Sequence, residues 1–332
     1  MDYSQEIKNN SDNKIICNKD IYDFHGSKFE QLLSDYYKFC RENLNIQSKR
    51  EKIAPNIFLF TNSSEINAGA GIIKKYFVIT INLGLFRSCI INYYENIGLT
   101  QYFKELYPNT ICKFDNPVNI LAFQICTQFT YYHELAHLFQ LSGKNIDIKL
   151  QEKNNKEIEK CFDKTKHILE INADTYAAIA VTTHIEQYII KTFKEEVTID
   201  NTMETFVFFG CCLLNYILNF SAKPEDIYFE EHTHPHSFIR QLNTVLNIVN
   251  HLQQSSYFKQ KGLVLNDHDL FLNIMNIYKD LEAKGVFKTK VSEIIDKNKE
   301  LSKPMIEYLY SLIQFETQEY KNAMDIWNKD IT

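Results

Sequence analysis

Apolar residues recur at helical spacing over most of this chain and alternate at strand spacing over only a short stretch. Between Lys28 and Asn43, the residues Phe29, Leu32, Leu33, Tyr36, Tyr37 and Cys40 fall three or four apart, which predicts a packing helix. Asn56 to Asn62 and Lys75 to Leu83 are β-branched and aromatic instead, and predict two strands joined through Ala68-Gly69-Ala70-Gly71. Asn116-Pro117 then offers a cap and a proline at the first helical position. The apolar run Ile120-Leu121-Ala122-Phe123 continues into Tyr131-Tyr132, and Ser142-Gly143 supplies a stop, so one helix of about 25 residues is expected. A new helical pattern runs from about His167 to Ile190, with Ala173, Ala177 and Ala178 small enough for close approach to the first. From about His251 to Thr332 the pattern is helical again, with Leu270, Ile274, Ile277, Tyr278 and Leu281 on one face and Ile306, Tyr310, Ile313 and Phe315 following later.

The remaining stretches read differently. The first residues are polar and Asn-rich and are expected to fray, with no apolar core of a signal segment between Met1 and Asp12. Ser142 to Lys160 is charged and polar, an exposed connection that could act as a lid. Phe206 to Phe220 is apolar but shorter than the roughly 20 residues a membrane span needs. It also carries Gly210, Asn215 and Asn219, and reads as a buried core helix. The pattern divides the chain into an N-terminal stretch and helix (1–52), a central domain (53–250) and a C-terminal helical extension (251–332). The fold class is α+β, mainly helical, with a small antiparallel sheet.

Composition narrows the class. With 332 residues, 45% of them apolar and 14% aromatic, the chain can bury a substantial core. A net charge of −6 argues against a nucleic-acid surface. The eight cysteines form no CxxC pair and no spaced framework, as expected of reduced thiols in a cytoplasmic protein.

The chemistry is concentrated in His133-Glu134-Leu135-Ala136-His137. Residues four apart share a helical face, so both imidazoles can point at one ion while Glu134 reaches the water that ion activates. An HExxH also arises by chance, so a third ligand is needed. Glu170-Ile171-Asn172-Ala173-Asp174 places two carboxylates four apart on the second helix. Glu170 is the expected third ligand, and Asp174 the acceptor for the distal nitrogen of a ligand histidine. His167 is a rival third ligand, since imidazole suits zinc at least as well as a carboxylate does. His232 and His236 would compete as ligands only if their loop doubles back. His25, His184, His251 and His268 are isolated and expected to be structural.

HExxH followed by ExxxD on a second helix resembles the gluzincin metallopeptidases. Thr233-His234-Pro235-His236-Ser237-Phe238-Ile239-Arg240 is similar to the THPxxxxR signature of the HtpX and CAAX prenyl protease family. Glu65-Ile66-Asn67-Ala68 and Tyr76 to Leu85 loosely resemble that family's Asn-Ala hairpin and its strand followed by Gly-Leu. Those relatives are integral membrane proteins, whereas this chain reads as soluble. In lifestyle it is closer to soluble bacterial peptidases such as the phage-exclusion peptidase Lit, which match at the zinc motifs alone. The resemblance covers about residues 55 to 245 and implies a zincin-like metallopeptidase core. Zn2+ would be held by His133, His137 and Glu170, with Glu134 as general base and His234 and Arg240 stabilising the oxyanion. The edge strand around Tyr76 to Asn82 would hold an extended substrate. A protein or peptide substrate is expected, with no nucleic acid and no stable membrane span, and with the C-terminal helices offering a surface to a regulatory partner. Two other functions fit the same motifs: a catalytically idle zinc or peptide-binding relative, and a zinc hydrolase of non-peptide substrates.

Overall fold

The computed structural model describes residues 2–142, 162–218, 220 and 227–328. Helix α1 (Tyr3–Asn13) and helix α2 (Glu30–Arg50) precede three strands, β1 (Asn56–Thr61), β2 (Ala68–Ile73) and β3 (Tyr76–Asn82). Helices α3 (Leu83–Cys89), α4 (Ile97–Leu106) and α5 (Pro108–Ile111) lead to two long ones, α6 (Val118–Ser142) and α7 (Lys164–Phe193). Then follow α8 (Ile199–Leu218), α9 (Ser237–Gln254), α10 (Ser256–Gln260), α11 (Asp267–Ala283), α12 (Val291–Lys297), α13 (Ser302–Leu312) and α14 (Gln318–Asn328). The fold is mainly helical with one small sheet, as the periodicity indicated. The expected lid lies outside the described residues beyond Ser142.

The sheet departs from expectation in two ways. Its order is β1-β3-β2, with β1 parallel to β3 and β2 antiparallel to it, so it is mixed and not antiparallel. Ala68-Gly69-Ala70-Gly71 is no linker but part of β2, paired residue for residue with β3 through a two-residue turn in which Lys74 adopts φ 58°. The strand expected at the edge, β3, is therefore central. Its buried Val78, Ile79 and Ile81 suit that place, and the open edge belongs to β2, beside α6. Just after β3, Gly84 is obligatory, because a Cβ there would lie 2.1 Å from the Ser64 carbonyl oxygen.

The outer edge of β1 is closed jointly by side chains of the N-terminal helix and by the segment after it, whose Ile21 bridges Thr61 and whose Tyr22 amide donates to the Phe60 carbonyl at 2.9 Å. Tyr3, Glu6 and Asn10 of α1 are all buried, so this stretch is packed where fraying was expected. The Tyr3 hydroxyl accepts from the Phe60 amide at 3.0 Å, and a Glu6 carboxylate oxygen accepts from the Phe58 amide at 3.1 Å. Tyr37 and Arg41 of α2 complete the pairing of Glu6, at 2.8 and 3.3 Å. Helical periodicity is blind to such a face because two of its three inward residues are polar.

One apolar cluster runs from Tyr3 on α1 to Ile294 on α12. Within it α8 is a correction. It spans 20 residues, not the shorter run expected from Phe206 to Phe220, and is long and apolar enough to cross a membrane. It is a core helix all the same, since 83% of that stretch is buried. The exposed face of α13 also differs from expectation. Ile306 and Tyr310 point outward, as does Phe315 in the turn beyond it, while Ile313 packs beside Leu309 and Leu312 against Ile168, Leu169 and Ile171 of α7 in a second, smaller cluster.

Candidate metal centre

Helices α6 and α7 pack against each other more extensively than any other pair of helices. Ala136 on α6 and Ala173, Ala177 and Ala178 on α7 are fully buried, and their small side chains permit that approach. The 25 residues of α6 match the length expected from the caps. Asp163 begins α7 by accepting from the amides of Thr165 and Lys166. One turn from each helix then faces the other.

Their side chains converge. His133 Nε2 and His137 Nε2 stand 3.0 Å apart, and the Glu170 carboxylate oxygens lie 3.4 Å from the first and 3.3 Å from the second. All three residues are buried, and this group could hold a metal ion. Ligands at 2.0–2.2 Å from one tetrahedral ion stand roughly 3.3–3.6 Å from one another, so the two contacts to the Glu170 carboxylate match that spacing and the two imidazole nitrogens stand slightly closer. The outward nitrogens are engaged elsewhere. His133 Nδ1 lies 2.9 Å from Asp174 Oδ1, and His137 Nδ1 is 2.8 Å from Gln140 Oε1. Both imidazoles thus turn Nε2 toward the same point.

Behind the triangle stands a buried charge pair. Arg240 on α9 donates to Asp174 through Nε at 2.7 Å and Nη2 at 2.8 Å, a bidentate clamp. Its Nη2 lies 3.9 Å from Glu170. Arg240 is only 9% exposed, so its charge is spent on Asp174 and, more weakly, on Glu170. The electrostatics follow. Burial alone would disfavour charge on His133, yet Asp174 and Glu170 outweigh it and push its pKa up to about 10. His137 is raised against the same desolvation, chiefly by Glu170. Desolvation would raise Glu170 and Asp174, but Glu170 is held well below the carboxylate range by His234 and His137, and Asp174 is lowered by Arg240.

His234 sits apart from the triangle. Its Nε2 is 3.6 Å from Glu170 Oε1, its Nδ1 is 2.9 Å from the Thr233 hydroxyl, and its side chain remains 36% exposed. Glu134 is in the same α6 turn as the two ligand histidines and is buried, with 7% of its surface exposed.

The other histidines have different work. His167 is not a ligand candidate, because Tyr308 engages Nδ1 at 2.8 Å and the His232 carbonyl engages Nε2 at 2.7 Å. His236 is fully buried as the N-cap of α9, accepting from the Phe238 amide and stacking on the Phe238 ring. Gln140 was missed from sequence. It donates to the Leu169 carbonyl at 3.0 Å while its oxygen faces His137, tying α6 to α7 one residue before Glu170. Its signal was available: a polar side chain three residues past His137, on the same face of an otherwise apolar helix.

No protein-family model matches this chain, and no curated protein or solved structure does.

Proposed function

We propose that this chain is a zinc-dependent endopeptidase of gluzincin type, cutting an intracellular protein substrate in the cytoplasm. The observation that carries the reading is the buried convergence of His133, His137 and Glu170 with Glu134 in the same helical turn. Two imidazoles and one carboxylate are the donor set of zinc hydrolases, and three protein ligands leave the fourth position for chemistry. When bound there, zinc supplies Lewis acidity, polarising a carbonyl and making water nucleophilic near neutral pH. A purely structural site would have no use for the carboxylate of Glu134.

Each side chain then has a task. Glu134 takes the proton from the attacking water and returns it to the leaving amine. His234, exposed at the rim, donates from Nε2 to the oxyanion that develops on the scissile carbonyl. Arg240 acts behind this, clamping Asp174 so that Asp174 holds His133 in its productive tautomer. The open edge of β2, beside α6, suits an extended peptide, since unpaired strand groups read backbone and not sequence.

The test pairs metal analysis with cleavage. Purified protein should carry about one zinc per chain, and cells expressing it should show new protein N-termini that are absent with Glu134→Gln. Identical N-terminal sets from wild type and Glu134→Gln would overturn the peptidase reading.

A further inference from the structure

The segment that carries His234 has no regular secondary structure between Tyr228 and His236, yet it must present one imidazole to the metal triangle. Its anchorage comes from outside the central motifs. The His232 carbonyl can only accept, so His167 Nε2 must carry the hydrogen across their 2.7 Å contact. His167 Nδ1 is then an acceptor, and the Tyr308 hydroxyl donates to it across 2.8 Å. Burial lowers the pKa of His167, which keeps the ring neutral and in this single tautomer. Around this chain of bonds, Phe229 packs on Tyr308 with ring centroids 5.4 Å apart, Phe162 on His167 at 5.2 Å, and Tyr228 lies between the His232 and His236 rings at 4.1 and 4.9 Å. His232 is two residues from His234, so fixing its carbonyl fixes the approach of His234 to Glu170.

We infer that His167 is a positioning residue, held by Tyr308 of α13, that sets the His232–His234 segment against the metal triangle and makes α13 part of the active site. Removing α13's hydroxyl therefore unsettles His234 without touching a metal ligand. The inference rests on the assignment of His234 to the reaction, but the order of the segment can be measured without any reaction at all.

Three variants of the full chain test it: Tyr308→Phe, which removes only a hydroxyl, His167→Leu, which removes both bonds, and His167→Gln, whose amide can still donate to the His232 carbonyl. Amide hydrogen exchange in residues 229–236 should accelerate about 5- to 10-fold in Tyr308→Phe, as expected for one lost hydrogen bond. It should accelerate further in His167→Leu and return toward wild type in His167→Gln, while exchange in α6 and α7 stays unchanged. On a peptide substrate, kcat should fall by a similar factor, with KM and zinc content unaltered. Unchanged exchange in 229–236 for both Tyr308→Phe and His167→Leu, or zinc lost in step with activity, would overturn the positioning role. If wild-type protein cleaves nothing, the peptidase reading falls, and the exchange data alone uphold or refute the positioning.

Discussion

The two sides of the metal triangle are built from different materials. On one side, His133, His137, Glu170 and Asp174 sit on packed helices, nearly dry, with the outward nitrogens of both histidines braced by Asp174 and Gln140, and Asp174 in turn by Arg240. On the other, His234 stands on an irregular segment, one-third exposed, and owes its place to contacts with α7 and α13. On the proposed function, the difference teaches a division of labour. Metal affinity calls for rigid donors at fixed spacing, which helices supply, whereas a group that meets the substrate must be reachable, which a loop allows.

The sharpest way to break this comparison is to exchange the losses. His133→Ala, His137→Ala and Glu170→Ala should each abolish stoichiometric zinc, measured by elemental analysis of purified protein. His234→Ala should keep its zinc yet lose on the order of 100- to 1,000-fold in kcat, the usual cost of one oxyanion donor. Zinc lost from His234→Ala would put both sides on the same footing.

Stability should separate Arg240 from His234. Arg240→Ala leaves the buried Asp174 carboxylate without its clamp, a change that costs about 3–5 kcal/mol when one partner of a buried pair is removed. Lysine should restore little, since an ammonium cannot reproduce the bidentate fork. Chemical denaturation of the metal-free proteins reads the effect, and His234→Ala, at a side chain one-third exposed, should stay within about 0.5 kcal/mol of wild type. Equal losses for the two would mean that the exposed side is as structural as the buried one.

A smaller effect concerns protons. In the metal-free protein the folded state raises His133 from 6.5 to about 10, so the stabilisation it brings is complete below pH 6.5 and disappears as pH climbs through about 10. A metal takes the place of that proton. Melting temperature should therefore fall between about pH 6.5 and 10 for protein stripped with a chelator and much less for zinc-loaded protein. Zinc binding at neutral pH should release about one proton in weakly buffered solution. Parallel melting curves over this range would show that the charge on His133 contributes nothing to the empty site.

Sequence legibility follows the same division. The helix bearing HExxH was readable to its ends, and Glu170 and Asp174 followed from a spacing of four, because helical faces are set by local geometry. What escaped depends on partners distant in sequence. His167 stood as a rival to Glu170 because its neighbours in the chain, not Tyr308 and His232, were visible. Ala68-Gly69-Ala70-Gly71 looked like a linker because small residues carry weak strand preference, and only pairing with β3 makes them a strand. Arg240 was expected on the oxyanion, and it is Asp174, two helical elements away, that claims it. Of the later apolar residues chosen by spacing, Ile313 packs against the second cluster but Ile306, Tyr310 and Phe315 face outward, because Leu309 and Leu312 had the better partners on α7.

The closed edge of β1 bears on how this protein behaves in a crowded solution. A row of free strand amides invites another chain to add itself, and sheets that grow this way end in aggregates. Here Tyr3 and Glu6 occupy the Phe60 and Phe58 amides with side-chain oxygens, which bond as a strand would but offer nothing for a further strand to copy. Growth of the sheet is thereby restricted to one direction, at β2. Proteolytic trimming through α1 would free the Phe58 and Phe60 amides beside the short Ile21 bridge and take Glu6 from the buried Arg41 in the same cut, so such a fragment should precipitate well before its core has lost its helices.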